Sequence, residues 1–231
     1  MAQLLGVLEQ GLIYAVLALG VYITFKILDF PDMTVDSTFP LGAAVTALMI
    51  SNGIHPLLTL PASLLAGAAA GALTGVIHVK FHVRDLLSGI IMMTGLYSIN
   101  LHIAGRANVQ LFSFNTLFKN DFISGLPTGV QPYAPVILMA LVALIVKLLM
   151  DAYLSTRSGF LLRATGDNPT LVASLAKDSG KVKILGLAIA NALVALSGCI
   201  MCQYQRYFDI SMGTGTLVLA VASVIVGTQL L

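Results

Sequence analysis

The sequence predicts an all-α fold: a polytopic transmembrane bundle of about six to seven apolar segments, carrying one short helix in a polar loop. Three observations predict it. Hydrophobic residues make up 58% of the 231-residue chain and charged residues 10%, whereas soluble domains carry about 25% charged residues. With a mean hydropathy of +0.94, the chain has too little polar surface to solvate a globule of this size. Second, apolar runs close to the ~20 residues that cross a bilayer recur along the chain. Third, polarity concentrates in one interval, Thr156–Lys183, which holds Arg157, Arg163, Lys177, Lys181 and Lys183.

The first run, Leu4 to about Phe25, lacks a basic leader and is too long for a signal peptide, so it reads as a retained span. Gly11, Ala15, Ala18 and Tyr22 share a face, and small residues at that spacing let membrane helices approach closely. Residues 27–42 interrupt the pattern with Asp29, Asp32, Asp36, Pro31 and Pro40. The following run, Leu41–Ile50, is too short to span and reads as a re-entrant or broken helix. Irregular backbone at membrane depth is tolerated only inside protein or beside a water-filled cavity. Carboxylates there point to a functional site. Asp32, Thr34, Asp36 and Ser37, with Asn100 and Asn191 from later segments, are thus candidates to line a translocation pathway. The plainer alternative is a surface loop in which Asp36 or Ser37 caps the next run; the sequence leaves both open.

Leu57 to Val79 is the next span. Its Gly67, Gly71 and Gly75 form a double G-x-x-x-G, the signature of a tight helix–helix contact. Leu86 to Ala104 follows, polar on part of its surface through Ser88, Thr94, Ser98 and Asn100. Arg106–Pro132 is a long connection without a pattern of its own, a length that is usually functional. Tyr133 to Ala152 spans again, with Lys147 able to snorkel near its end.

Within Thr156–Lys183 a short helix is predicted over Pro169–Lys177. Asn168 suits the cap, Pro169 the first helical position, and Gly180 the closing turn. Leu171, Val172 and Leu175 fall on one face, which needs a docking surface because so short a helix is marginal alone. Ile184 to Met201 is the next span, with Gly186, Ala190, Val194 and Gly198 on one face beside Asn191. A polar link, Gln203–Gly215, leads to the last run, Leu217–Leu231. Placing 156–183 in the cytoplasm puts most basic residues inside, in line with the positive-inside rule.

Chemistry is mostly excluded. There is no phosphate-cradling G-x-x-x-x-G-K-[ST], no H-E-x-x-H and no G-x-S-x-G. His78 and His82 have metal-pair spacing but sit among Lys80 and Arg84, which favours a cationic cluster at the membrane edge. Cys199 and Cys202 form a lone C-x-x-C and read as small packing residues rather than a redox or metal pair. No basic patch interleaved with aromatics suggests nucleic acid. The chain is not expected to be an enzyme or to hold a metal.

T-R-S-G-F-L-L-R-A-T-G-D-N-P-T-L-V-A-S-L-A, Thr156 to Ala176, resembles the cytoplasmic coupling loop of ABC-importer permeases of the branched-chain amino acid and ribose type. E-Q-G-L-I-Y-A-V-L-A-L-G-V-Y-I-T-F at Glu9–Phe25, L-D-F-P-D-M-T-V-D-S-T-F-P-L-G-A-A at Leu28–Ala44 and L-Y-S-I-N-L at Leu96–Leu101 are similar to a branch associated with hydrophobic or aromatic amino acids. The resemblance implies one permease domain over residues 1–231, with 156–183 as its coupling loop. It also implies further spanning helices beyond Leu231, so the chain is expected to be incomplete at its C-terminus. Gly159, Arg163, Asp167, Asn168, Pro169 and Ala173 would belong to the ATPase-docking surface, with Leu171 and Leu175 on the helix's apolar face. The implied partners are a second permease chain in a homodimer, separate ATPase chains and an extracellular substrate-binding lipoprotein, in a bacterial plasma membrane. ATP and Mg would bind the ATPases, leaving no cofactor here. A small, largely apolar amino acid is the expected substrate. The competing expectation is a secondary transporter with Asp29, Asp32 and Asp36 as an ion or proton relay.

Overall fold

The structure, a computed structural model, describes residues 2–119, 131–168, 172 and 178–230. Among them are eight α-helices and two short strands. The helices are α1 (Ala2–Tyr22), α2 (Val35–Ser51), α3 (Thr59–Lys80), α4 (Asp85–Ala104), α5 (Ala134–Leu154), α6 (Arg157–Asp167), α7 (Ser179–Gln205) and α8 (Thr216–Leu230). Among the described residues six stretches are long and apolar enough to cross a membrane: Gln3–Ile27, Pro56–Lys80, Asp85–Ala104, Ala134–Leu154, Ser179–Gln205 and Ile210–Leu230.

The bundle is built around α7, on which α1, α2 and α3 all pack. Small residues set these contacts. A methyl group added at Gly67 or Gly71 of α3 would strike the carbonyls of Asn191 and Leu187, and one at Gly75 would strike Ile184. Gly42 of α2 lies on the Ala195 carbonyl, and Gly198 of α7 lies on that of Phe39. In lipid, where apolar burial gives little drive, such close backbone approach is what holds helices together. The main apolar cluster gathers Ile13, Leu17 and Val21 of α1, Phe39 of α2, Met139 of α5 and Val194 and Ile200 of α7.

Between α1 and α2 the chain breaks and reverses. A π-helical turn, Ile23–Ile27, ends α1, and Asp29 takes a left-handed conformation (φ 51°). The apolar run expected to begin at Leu41 begins at Val35, and α2 has 17 residues. Asp32 accounts for the early start: its Oδ1 accepts from Thr34 N (2.9 Å). At 1.5 Å per residue α2 is about 25 Å long, still short of a ~30 Å hydrocarbon core. Asp32 meets Asn191 roughly halfway along α7 (2.7 Å), so α2 starts midway through the bundle. Pro40 lies inside α2 and deprives the Asp36 carbonyl of its helical donor; that carbonyl packs against Gly213 instead.

Two further expectations are corrected. The connection after α4 is not patternless. Asn108–Gln110 pairs antiparallel with Tyr207–Asp209, Val109 opposite Phe208, and Phe208 is fully buried. Strands of three residues leave no periodicity to detect. The polar interval also holds a helix that the sequence reading missed, α6. Gly180 does not close a helix: it lies in the first turn of α7, which Asp178 caps by accepting from Gly180 N (3.1 Å) and Lys181 N (3.2 Å).

Candidate functional site

The polar interval is anchored before it is exposed. Two residues, Ser155 and Thr156, turn α5 into α6, and Thr156 Oγ1 accepts from Gly159 N (3.3 Å) to cap the new helix. Gly159 is buried because the Leu154 and Tyr153 backbone leaves no room for a side chain. One face of α6 is locked into the bundle. Leu162 is fully buried with Ile23, Ile27, Leu28, Phe30 and Leu187, and Gly166 lies on the Ile27 carbonyl. Leu162 and Leu28 together cover Gly186 of α7. The opposite face presents Arg163, Asp167 and Asn168, all exposed. α6 therefore has one side packed into the bundle and one side exposed. Its packed side touches both the break after α1 and the start of α7.

Beyond Asn168 the described residue is Val172, which is helical. The Asn168 carbonyl accepts from Val172 N (3.4 Å), and Val172 is fully buried. Pro169, Leu171, Ala173 and Leu175 lie outside the described residues, as does most of the predicted Pro169–Lys177 helix. At the far end of the interval, the Lys181 N–H bonds the Asp178 carboxylate and holds it below the usual carboxylate range.

The six pathway candidates each meet a neighbouring helix inside the bundle. Asn191 Nδ2 donates to Asp32 Oδ2 (2.7 Å) and to the Leu187 carbonyl (3.1 Å). Thr34 and Thr74 share a hydrogen bond between their hydroxyls (3.0 Å). Ser37 Oγ donates to the Met93 carbonyl (2.8 Å), and Asn100 Nδ2 to the Ser37 carbonyl (2.9 Å). Asp36 faces the start of α8, where it accepts from Leu217 N (2.8 Å), Thr216 Oγ1 (3.0 Å) and Gly215 N (3.3 Å). Asp29 is exposed and apart from both. The Oδ1 atoms of Asn100 and Asn191 are buried without a hydrogen-bond partner among the described residues. Thr74, which the sequence reading passed over, lies one turn beyond Gly71 on the glycine face of α3. That spacing was the available signal.

His78 and His82 do not form a metal pair. The chain leaves the helix at Phe81, His82 is left-handed (φ 55°), and His78 Nδ1 contacts Asp85 Oδ1 (3.1 Å). No cluster of three metal-ligating side chains occurs among the described residues. Cys199 and Cys202 are buried free thiols, with Cys199 Sγ 3.3 Å from Thr59 Oγ1.

Comparisons with known proteins converge. The family described as "Branched-chain amino acid transport system / permease component" matches residues 3–229. The chain is 44% identical over its whole length, and over 74% of the relative, to the tyrosine transport system permease protein of Clostridioides difficile. It is 28% identical to the ribose import permease protein of Escherichia coli K12, over 97% of this chain and 68% of the relative. The probable branched-chain amino acid transport permease protein of Methanocaldococcus jannaschii is 27% identical over 92% of this chain and 70% of its own length. No solved structure matches. Six apolar helices among the described residues, a break lined by buried polar groups and a short helix seated in the polar interval thus fit what these comparisons establish: the chain belongs to the branched-chain amino acid transport system permease family, the membrane-spanning components of ABC-type importers.

Proposed function

We propose that this subunit conducts an apolar or aromatic amino acid across a bacterial plasma membrane. Hydrolysis of ATP occurs on a separate ATPase chain docked under residues 156–183, and an extracellular binding lipoprotein delivers the substrate. Two permease chains pair to form the pathway. The 44% identity to a tyrosine permease, unbroken along the chain, carries this reading. The two-sided seating of α6 supports it. Arg163, Asp167 and Asn168, with residues 169–177, receive the ATPase. A displacement there passes through Leu162 to Leu28 and Gly186, and so to the break and to α7 together. The Asp32–Asn191 bond ties those two elements deeper in the bundle. Polar groups around the break, Asn100 and Asn191 among them, then line the route. Nothing favours a carboxylate relay: Asp32 and Asp36 go to different partners, and Asp29 is exposed apart from both.

The test is uptake into proteoliposomes holding the permease, its ATPase and its binding protein. Labelled tyrosine enters only with ATP inside the ATPase compartment and with the binding protein outside. Uptake by this chain alone, driven by a proton or sodium gradient, would overturn the mechanism. Uptake of ribose and of no amino acid would overturn the substrate class.

A further inference from the structure

At the end of the bundle where α3 stops and α4 and α7 begin, a cavity of about 580 Å³ opens among His78, His82, Arg84, Asp85, Asp178 and Lys183. Within the lining Arg84 and Lys183 balance Asp85 and Asp178, but Asp178 is paired with Lys181 outside it, which leaves one positive charge in excess. Asp178 is taken by the α7 N–H groups and by Lys181 Nζ (3.4 Å). Asp85 is taken by His78 Nδ1 (3.1 Å), which also meets the Val83 carbonyl (2.9 Å). Those two contacts require the proton on Nδ1, so His78 Nε2 is an acceptor. The atom it faces is Lys183 Nζ, at 3.3 Å. A half-buried ammonium is thus held by a neutral ring nitrogen. Neither Lys183 nor Arg84 has a carboxylate within ion-pair distance among the described residues. Arg84 is exposed, but Lys183 is half-buried, and holding an ammonium partly out of water without a counterion is costly, so the cavity favours an anion.

Its place in the molecule identifies the source. The cavity lies at the ends of three helices, two of which, α3 and α4, show apolar side chains outward. Phe81, Leu86 and Leu87, beside the lining residues, are all at least half exposed (68%, 51% and 51%). A polar, cationic cavity rimmed by exposed apolar side chains at a helix end belongs at a bilayer's headgroup level, and basic pockets there bind lipid phosphates. We propose that this cavity binds the phosphate of an anionic phospholipid headgroup, held by Arg84 and Lys183 with His82 at the rim. The bound lipid bridges the α3–α4 link to the first turns of α7, the helix into which the 156–183 interval leads.

Binding is read by native mass spectrometry and by titration of the detergent-solubilised full chain with short-chain phosphatidylglycerol or phosphatidylcholine. Phosphatidylglycerol binds in preference. Arg84→Gln with Lys183→Gln weakens it about 30-fold, the loss of two headgroup-level cations, while Lys147→Gln leaves it unchanged. Arg84→Lys with wild-type Lys183 retains most of the affinity, which separates charge loss from misfolding. Equal binding of phosphatidylcholine, or no loss in the double variant, overturns the proposal. Inorganic phosphate binding as tightly as the lipid would make this a free-anion site instead. Failure of any lipid to bind, with the double variant losing its co-purifying ATPase, would assign the patch to a protein contact.

Discussion

Replacing Asp36 by alanine tests how two broken elements are held together. Its carboxylate is on α2, yet it caps α8, taking Leu217 N at 2.8 Å, Thr216 Oγ1 at 3.0 Å and Gly215 N at 3.3 Å. Hydrogen bonds to a charged group contribute about 1.5–3 kcal/mol each, but the longest of these is weak and the others share one carboxylate. A lost cap costs about 1–2 kcal/mol, and the favourable position at the positive end of the helix adds up to about 1. The net cost of Asp36→Ala is therefore about 2–3 kcal/mol, localised at the start of α8. Hydrogen exchange followed by mass spectrometry reads it directly. The amides of Gly215 and Leu217 exchange roughly 30–150-fold faster, since each 1.4 kcal/mol is a factor of ten. Asp36→Asn, which keeps an acceptor without the charge, falls between. Unchanged exchange at those two amides in Asp36→Ala would show that α8 is positioned by apolar packing alone, and the reasoning would fail.

Three more outcomes are expected. Gly71→Val drives a side chain into the Leu187 carbonyl and costs about 1–3 kcal/mol or more in thermal unfolding, whereas Gly95→Ala, with open space around it, leaves stability equal or up to about 1 kcal/mol higher. Asp167→Ala, on the exposed side of α6, leaves the melting temperature unchanged but reduces uptake per ATP hydrolysed at least tenfold; intact coupling would remove Asp167 from the docking surface. Asp178 is depressed by its hydrogen bond from Lys181 N, so its contribution to capping α7 is complete above the ordinary carboxylate range and is lost as pH falls through the lower folded value. Exchange at Gly180 and Lys181 accordingly quickens on acidification below that range in the wild type and is insensitive to pH-linked uncapping in Asp178→Ala.

Where one residue pattern suffices, the sequence could be read. Spans with a single long apolar run were legible, and so was the glycine face of α3, because Gly67, Gly71 and Gly75 repeat every four residues. Where partners lie far apart in sequence, reading failed. The start of α2 depends on Asp32 bonding Thr34 N and on a bed supplied by Asn191, Ala195 and Gly198, so hydropathy placed it six residues late. Gly180 looked like a helix stop, although Asp178, two residues earlier, was a readable N-cap for the next helix. α6 has an alternating polar and apolar surface too short to register, although Thr156 with Gly159 was a readable cap. The polar residues around residues 32–37 were visible as a group, but which helix each one meets was not.

The bond between Asp32 and Asn191 closes a loop of 159 residues, and this sets a schedule for biogenesis. At about 5–20 residues per second, roughly 8–30 s pass on the ribosome between the emergence of α2 and that of the helix beneath it. In that interval α2 has α3 and α4 to pack on, through Thr74, Met93 and Asn100, but the carboxylate at its head lacks the Asn191 amide. Its deepest contact is therefore made only when α7 arrives. Assembly of this bundle is completed from the middle outward, after synthesis has passed the element it is waiting for.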